Sequence, residues 1–420
     1  MIWSPEQEAA LKSVREWLKD PDQQIYRLFG FAGTGKTTLA KELASGIEGQ
    51  VLFGAYTGKA AHVLKTKGCG DARTIHSLIY HSRDQSAARL KQLEVDLMQM
   101  KQEILLETAE EDRPNIDWSQ YKGVVMVQAE IDGERQNCSR PIFQLNHDSE
   151  VKYAKLVIID ECSMVDGQMA EDLLFFGTKI LVLGDPGQLP PVMGTGYFIQ
   201  AAPNFMLQEI HRQARDNPII AMATKVRHGE SLPLGNYGSS QVIDVEDTLA
   251  RDLKEIVLEA DQLLVGKNAT RRDYNRRMRK LLYPEHNESW VPVTGDKLVC
   301  LRNNHDVGLL NGAQWKTRMI LSHDDSRINM EIASVDTGAF LSVEGHTHHF
   351  KGSTDPIPWW ERKEAEEFDY GYAMTTHKAQ GSQWDNVVVF DESFCFREDR
   401  HKWLYTALTR AAQRVTVVKV

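Results

Sequence analysis

The octet Gly30-Phe31-Ala32-Gly33-Thr34-Gly35-Lys36-Thr37 decides how this chain is read. It fits the pattern G-x-x-x-x-G-K-[ST]. Its glycines let successive backbone N–H groups turn inward around an anion. Lys36 adds a point charge at the β- and γ-phosphates, and Thr37 offers a hydroxyl to Mg²⁺. The apolar run Ile25–Phe29 enters the loop as a strand and Thr37–Ala44 leaves it as a helix. The helix N-terminus therefore faces the same anion. Gly33, Thr34, Gly35, Lys36, Thr37 and Thr38 are the expected contacts to a nucleotide. Alone, the octet licenses a nucleotide held by its phosphates and no more.

Outward from the loop, Val51–Tyr56 reads as a second strand and Gly58–Lys65 as a second helix. Leu156–Ile159 and Ile180–Leu183 add two more apolar strands. Short apolar strands separated by helices predict a parallel sheet covered on both faces. Residues 81–150 break the rhythm. Leu90, Leu93, Leu97, Met100 and Ile104 repeat at threes and fours, which predicts a helix with a narrow apolar stripe. After it, Val124–Ile131 and Pro141–Leu145 flank Asp132-Gly133, a hairpin-turn signal. This stretch is expected to be an insertion made of a helical arm and a β-hairpin. A second α/β sheet is expected from Leu263–Gly266, Val387–Phe390 and Val415–Val418. Residues 295–370, with Gly, Thr and Ser in alternating patterns, predict a small β insertion, with a turn at Asn311-Gly312.

Two further stretches supply chemistry. Leu156-Val157-Ile158-Ile159-Asp160-Glu161 is an apolar strand ending in two carboxylates. Beside a phosphate loop, Asp160 can hold the hydration shell of Mg²⁺ and Glu161 can orient or deprotonate an attacking water. Leu183-Gly184-Asp185-Pro186-Gly187-Gln188 ends a strand in a tight turn bearing one amide. Gln188 is placed either to sense a γ-phosphate or only to decorate the turn.

Composition sets outer limits. The 420 residues are 42% hydrophobic and 26% charged, which suits several globular cores. Two to four domains are expected. No apolar run reaches the roughly 18 residues of a membrane span. The start, MIWSPEQEAA, lacks the pattern of a signal peptide. Cys69, Cys138, Cys162, Cys300 and Cys395 include no CxxC pair. This argues against a zinc site or disulfide framework and suits a reducing cytoplasm. The net charge of −10 means that any nucleic acid must bind in a local groove, not through bulk charge.

Taken in order along the chain, these and further stretches resemble the superfamily 1 helicases. Within them they resemble the 5′→3′ branch that includes RecD-type and Dda-type enzymes. Pro5-Glu6-Gln7 is similar to the N-terminal glutamine motif, which implies that Gln7 reads adenine. Ala55-Tyr56-Thr57-Gly58-Lys59-Ala60-Ala61 and Arg73-Thr74-Ile75-His76-Ser77-Leu78 are similar to DNA-contact motifs. These imply Thr57, Lys59, Thr74 and His76 as contacts. Glu209-Ile210-His211-Arg212-Gln213 resembles the motif whose arginine faces the γ-phosphate. Ala373-Met374-Thr375-Thr376-His377-Lys378-Ala379-Gln380-Gly381-Ser382 resembles the motif joining DNA to nucleotide. It implies Thr376, His377 and Lys378 at DNA, and Gln380 and Gly381 at the nucleotide. Trp403-Leu404-Tyr405-Thr406-Ala407-Leu408-Thr409-Arg410-Ala411 resembles the last motif, with Arg410 as a second arginine finger.

The resemblance implies an α/β fold of two RecA-like P-loop NTPase domains in tandem, each with an inserted subdomain, the second small and SH3-like. The expected division is 1–80 with 151–204 for the first domain and 81–150 for its insertion. It continues with 205–294 and 371–420 for the second domain, and 295–370 for its insertion. ATP and Mg²⁺ are the implied cofactors, and Lys36, Glu161, Gln188, Arg212 and Arg410 the implied catalytic set. Single-stranded DNA and single-strand/duplex junctions are the implied partners, with replication or recombination proteins beside them. A monomer off the membrane is expected. The alternative is a DNA-stimulated ATPase subunit of a nuclease or recombination complex. Three positions depart from the family pattern: Tyr56 stands where proline is usual, Cys162 where a small residue is usual, and Gln383 where glutamate often binds ribose.

Other candidates stay open between two readings. Lys267–Lys280 holds seven basic residues and one acidic. It either tracks a DNA backbone or forms a solvated helix. His346 and His348 share a strand face and either chelate a metal or lie exposed. Asp132-Gly133 either forms a strand-parting wedge or a structural turn. Trp359 and Trp360 either stack on bases or pack a core.

Overall fold

A computed structural model describes residues 3–82, 84–107, 116, 118–139, 143–190, 196–209, 216–286, 288–304, 307–353, 357, 361–362 and 364–420. Arg212, Trp359 and Trp360 lie outside the described residues.

Six strands form the first sheet, in the order Arg73–Thr74, Val51–Ala55, Leu156–Asp160, Ile180–Gly184, Ile25–Gly30 and Phe205–Leu207. Every neighbouring pair is parallel. Leu156–Ile159 and the whole of Ile180–Gly184 are buried, as expected of strands covered on both faces. The register sets Ala55 opposite Asp160 and Phe29 opposite Gly184. The phosphate loop, the carboxylate pair and the Gly184 turn thus leave the sheet at one carboxyl edge, where open α/β sheets bind ligands. Phe205–Leu207, expected to begin the second half, is instead the last strand of this sheet and pairs with Leu28–Gly30.

The second sheet has the order Ala373–Thr375, Gln262–Val265, Trp384–Asp391, Ala411–Lys419, Ser240–Asp244 and Gly235–Tyr237. Only its last pair is antiparallel. Between its elements, an antiparallel five-stranded sheet runs in the order Phe340–His346, Arg327–Ser334, Gln314–His323, Lys297–Cys300 and Phe368–Tyr370. Among the described residues no helix is long and apolar enough to cross a membrane.

Residues His76–Glu150 form a compact unit of their own. Its helices Asp84–Glu107 and Lys122–Ser139 pack on one another, and Tyr80–Ser82 pairs with Phe143–Leu145. The expected hairpin at Asp132-Gly133 is not there: both residues lie inside the second helix. The apolar run Val124–Ile131 is helical in period, not alternating. Val124 and Ile131, two turns apart, are 4% and 1% exposed, while Met126 between them is 66% exposed. Seven-residue spacing on one buried face overrides the turn preference of a single Asp-Gly.

Candidate nucleotide site and strand-facing surface

The loop takes the shape its glycines permit. Gly33 and Gly35 have φ of 82° and 86°, a left-handed backbone that other residues rarely adopt. A side chain on Gly30 would lie 2.6 Å from Thr34 Oγ1 and 2.8 Å from Leu207 Cβ, so that position admits no Cβ. Lys36 opens the helix Lys36–Ser45 and its Nζ donates to the carbonyls of Gly30 (2.6 Å) and Phe31 (3.1 Å). Thr37 Oγ1 donates to Asp160 Oδ2 at 3.1 Å, joining the loop to the carboxylate strand. Gln7 braces the loop from behind: its Nε2 donates to Thr34 O at 3.1 Å, while its Oε1 accepts from Ser4 N in a capping box. Both ends of the Gln7 amide are engaged within the chain here.

Glu161 follows with φ 53° and ψ 44°, a left-handed conformation for a residue with a Cβ. Such strain costs about 1–3 kcal/mol and persists where surrounding structure imposes it. Burial raises the Glu161 pKa. The Arg410 guanidinium opposes that shift and the neighbouring Asp160 adds to it. Arg410 is only 6% exposed, and its Nη1 stands 3.8 Å from Glu161 Oε1. The guanidinium is aimed by Thr406 O, Ser382 O and Thr409 Oγ1, all in the second domain. Sequence-distant Glu161 and Arg410 therefore meet in one site. Cys162, where the family prefers a small residue, packs against Gly184, where any Cβ would meet its sulfur at 2.8 Å.

The turn after Gly184 is laced to the second domain. Asp185 accepts from Gly187 N and from the Tyr405 hydroxyl (2.7 Å). Leu189 N donates to Thr406 Oγ1, and Leu189 O accepts from Gln380 Nε2, each at 2.9 Å. Among the described residues, the side-chain oxygens of Gln188 and Gln380 are buried without a hydrogen-bond partner. A buried amide oxygen with no partner costs about 1–3 kcal/mol, so each is a receptor in want of a donor. Gly381, expected at the nucleotide, sits instead against Thr57 and Ala60: a Cβ there would lie 2.7 Å from Ala60 Cβ.

The expected strand contacts divide. Thr57 caps the helix Gly58–Thr66, accepting from Ala60 N at 3.1 Å. Lys59 pairs with Asp336, at the turn between two strands of the five-stranded sheet. Thr74 is buried, and His76 lies 5.7 Å, ring to ring, from Tyr80. Thr376 is fully buried, its hydroxyl donating to Val265 O. His377 and Lys378 are half-buried. Burial, helped by the charge of Arg271, brings Lys378 down to a pKa of about 8. The basic helix is a structural element on one face: Arg271 pairs with Asp369 at 2.5 Å and buried Arg279 with Asp296 at 3.2 Å. His346 is buried with Nδ1 2.6 Å from Arg327 Nη1, and no cluster able to hold a metal occurs among the described residues.

Four residues of this site were not assigned from sequence: Asp185, Tyr405, Thr406 and Arg227. The first three lie within the Gly184 turn and the stretch before Arg410, but their role depends on a partner more than 200 residues away. Arg227 stacks on Phe31, its guanidinium carbon 3.4 Å from the ring centroid. Nothing local marks that contact.

The donor set suits a magnesium nucleotide. Left-handed glycines, a lysine at the loop and a threonine–aspartate pair converge at one edge. Thr37 and Asp160 would hold the metal, which supplies charge at the phosphate oxygens when bound.

Comparison with known proteins agrees. Residues 3–248 match the AAA domain family, and residues 370–418 match the UvrD-like helicase C-terminal domain. The ATP-dependent RecD2 DNA helicase of Deinococcus radiodurans is 30% identical over 293 residues, 65% of this chain. The chain spans 37% of that relative's length. The crystal structure of Pif1 helicase from Candida albicans is 19% identical and superposes with a TM-score of 0.51, covering 100% of this chain and 94% of its own. Pif1 from Bacteroides, solved with ADP-AlF3 and single-stranded DNA, is 17% identical with a TM-score of 0.51, covering 99% and 92%. With both halves matched in order around one phosphate loop, the chain belongs to the superfamily 1 helicases of the RecD-like and Pif1-like kind.

Proposed function

We propose that this protein is an ATP-driven motor on single-stranded DNA that moves 5′→3′ and unwinds duplex ahead of it. The observation that carries the reading is the meeting of Glu161 and Arg410 across two sheets. A loose phosphoryl-transfer state spreads charge over its equatorial oxygens, and a guanidinium delivered from elsewhere stabilises it by about 10³- to 10⁵-fold. Glu161 orients or deprotonates the water, Lys36 neutralises phosphate charge, and Gln188 reports the γ-phosphate. Thr37 and Asp160 hold Mg²⁺. Because Arg410 belongs to the second domain, hydrolysis requires the two domains to be together, and opening afterwards lets them shift along the strand. The RecD2 relative is named an ATP-dependent DNA helicase, which supports the same activity here. The 5′→3′ polarity rests on the resemblance.

Unwinding of forked substrates carrying only a 5′ or only a 3′ single-stranded tail tests this. Activity from the 5′ tail alone is expected. Activity from the 3′ tail alone overturns the polarity. Strand-stimulated ATP hydrolysis without unwinding reduces the protein to a translocase.

A further inference from the structure

We infer that Tyr405 and Arg227 are positioning residues that tether the apex of the phosphate loop, Phe31-Ala32, to the second domain. The inference rests on the motor reading above and adds a second coupling to it, separate from Arg410.

The apex is not held by the first domain's own side chains alone. Lys36 and Gln7 engage the carbonyls of Gly30, Phe31 and Thr34, which leaves the Ala32 N–H and the Phe31 ring. The second domain takes both. The Tyr405 hydroxyl accepts from Ala32 N at 2.9 Å and donates to Asp185 Oδ2 at 2.7 Å. One phenol thus joins two first-domain loops that both end at the phosphate site. It must stay protonated to do so, and burial with the adjacent Asp185 charge pushes its titration far up. Tyr405 is 2% exposed, and Gly187 packs closely on its ring, where a Cβ would lie 3.1 Å away. Arg227, the last residue of the helix Pro218–Arg227, lays its guanidinium face on Phe31. A planar cation on an aromatic face is a directional contact that lysine does not reproduce.

The consequence is mechanical. If the second domain moves, it must carry the loop apex with it or break two hydrogen bonds, one of them fully buried, and the Arg227–Phe31 contact. Arg410 reads the domain spacing at the phosphate; Tyr405 and Arg227 write that spacing into the loop's backbone. Strand binding, which sets the spacing, would reach the loop by this route even before an arginine contacts the nucleotide.

Tyr405→Phe keeps the ring and removes both hydrogen bonds. Hydrogen–deuterium exchange of the peptide spanning residues 30–36 is expected to quicken about tenfold or more, a loss of about 1.4 kcal/mol of protection. Strand-stimulated kcat is expected to fall about tenfold, with nucleotide affinity in the absence of DNA held within about threefold. Unchanged exchange, or equal losses in kcat and strand-free affinity, would overturn the tether. Phe31→Leu and Arg227→Ala are expected to be non-additive, the double variant losing no more than the worse single, and Arg227→Lys is expected to behave as Arg227→Ala. Additive losses overturn the stacking half. Wild-type protein without strand-stimulated hydrolysis would sink the motor reading, while the exchange result would still decide the tether.

Discussion

Lys59, at the start of a helix on the first domain, is ion-paired with Asp336 from the five-stranded insertion of the second. The pair is largely enclosed, with side-chain exposures of 11% and 28%. A lysine that the family resemblance places near a DNA phosphate is thus held by a carboxylate of its own chain. Asp336→Asn is expected to raise single-strand affinity about three- to tenfold at low salt. Lys59→Ala is expected to lower it and to reduce the slope of log affinity against log salt by about 0.7. Fluorescence anisotropy on a labelled oligonucleotide across salt concentrations measures both. Equal affinity for Asp336→Asn and wild type would mean that DNA does not use Lys59.

Glu161 combines strain, burial and a raised pKa. Its folded form holds the proton more tightly than the unfolded chain. Its ionisation therefore costs stability as the pH rises above the ordinary glutamate range. Glu161→Gln removes that cost and the base together. Turnover is expected to fall by about 10² or more while nucleotide binding persists. The melting temperature at neutral pH is expected to be no lower than wild type. Steady-state hydrolysis beside thermal unfolding checks this; undiminished turnover would remove Glu161 from the chemistry.

Lys378 titrates near the assay range. Burial, then the charge of Arg271, sets its pKa at about 8. If its ammonium meets the strand, affinity is expected to fall as the pH rises from about 7 to about 9, because the folded protein releases this proton early. Lys378→Arg keeps its charge throughout and is expected to flatten the profile. Parallel titration curves for the two proteins would exclude Lys378 as the titrating contact.

Acid stability has a named source in the insertion. Burial of Glu367 works against its ionised form, but hydrogen bonds from His349 and Arg362 win, and its pKa falls to about 2. A depressed carboxylate contributes stability above its unfolded pKa of about 4.3, and that contribution is lost as the pH falls toward about 2. The contribution at neutral pH is on the order of 3 kcal/mol. Glu367→Gln is expected to lose it at pH 7 and to show a shallower decline below pH 4.5 by urea denaturation.

Much of this was legible in the sequence because it is local. The octet Gly30–Thr37, the Asp160-Glu161 strand end and the apolar strands each carry their own signal within ten residues. Asp132-Gly133 misled because a two-residue turn preference was weighed above the heptad spacing of Val124 and Ile131. The expected boundary near Phe205 falls one strand early, because the three-residue strand Phe205–Leu207 has no periodicity to show that it pairs with Leu28–Gly30. Arg271 and Arg279 read as a basic surface, yet their carboxylates, Asp369 and Asp296, stand outside the helix. The role of Tyr405 has no local signal, because Ala32 and Asp185 are each more than 200 residues away in the chain.

The central claim is that the first domain's site works only when the second domain delivers Arg410. Single-turnover ATP hydrolysis by Arg410→Ala, with saturating single-stranded DNA and a fluorescent-nucleotide titration on the same preparation, tests it most directly. The account expects the hydrolysis rate to fall by about 10³-fold or more with nucleotide affinity within about threefold of wild type. Hydrolysis within tenfold of wild type, still stimulated by DNA, would contradict it.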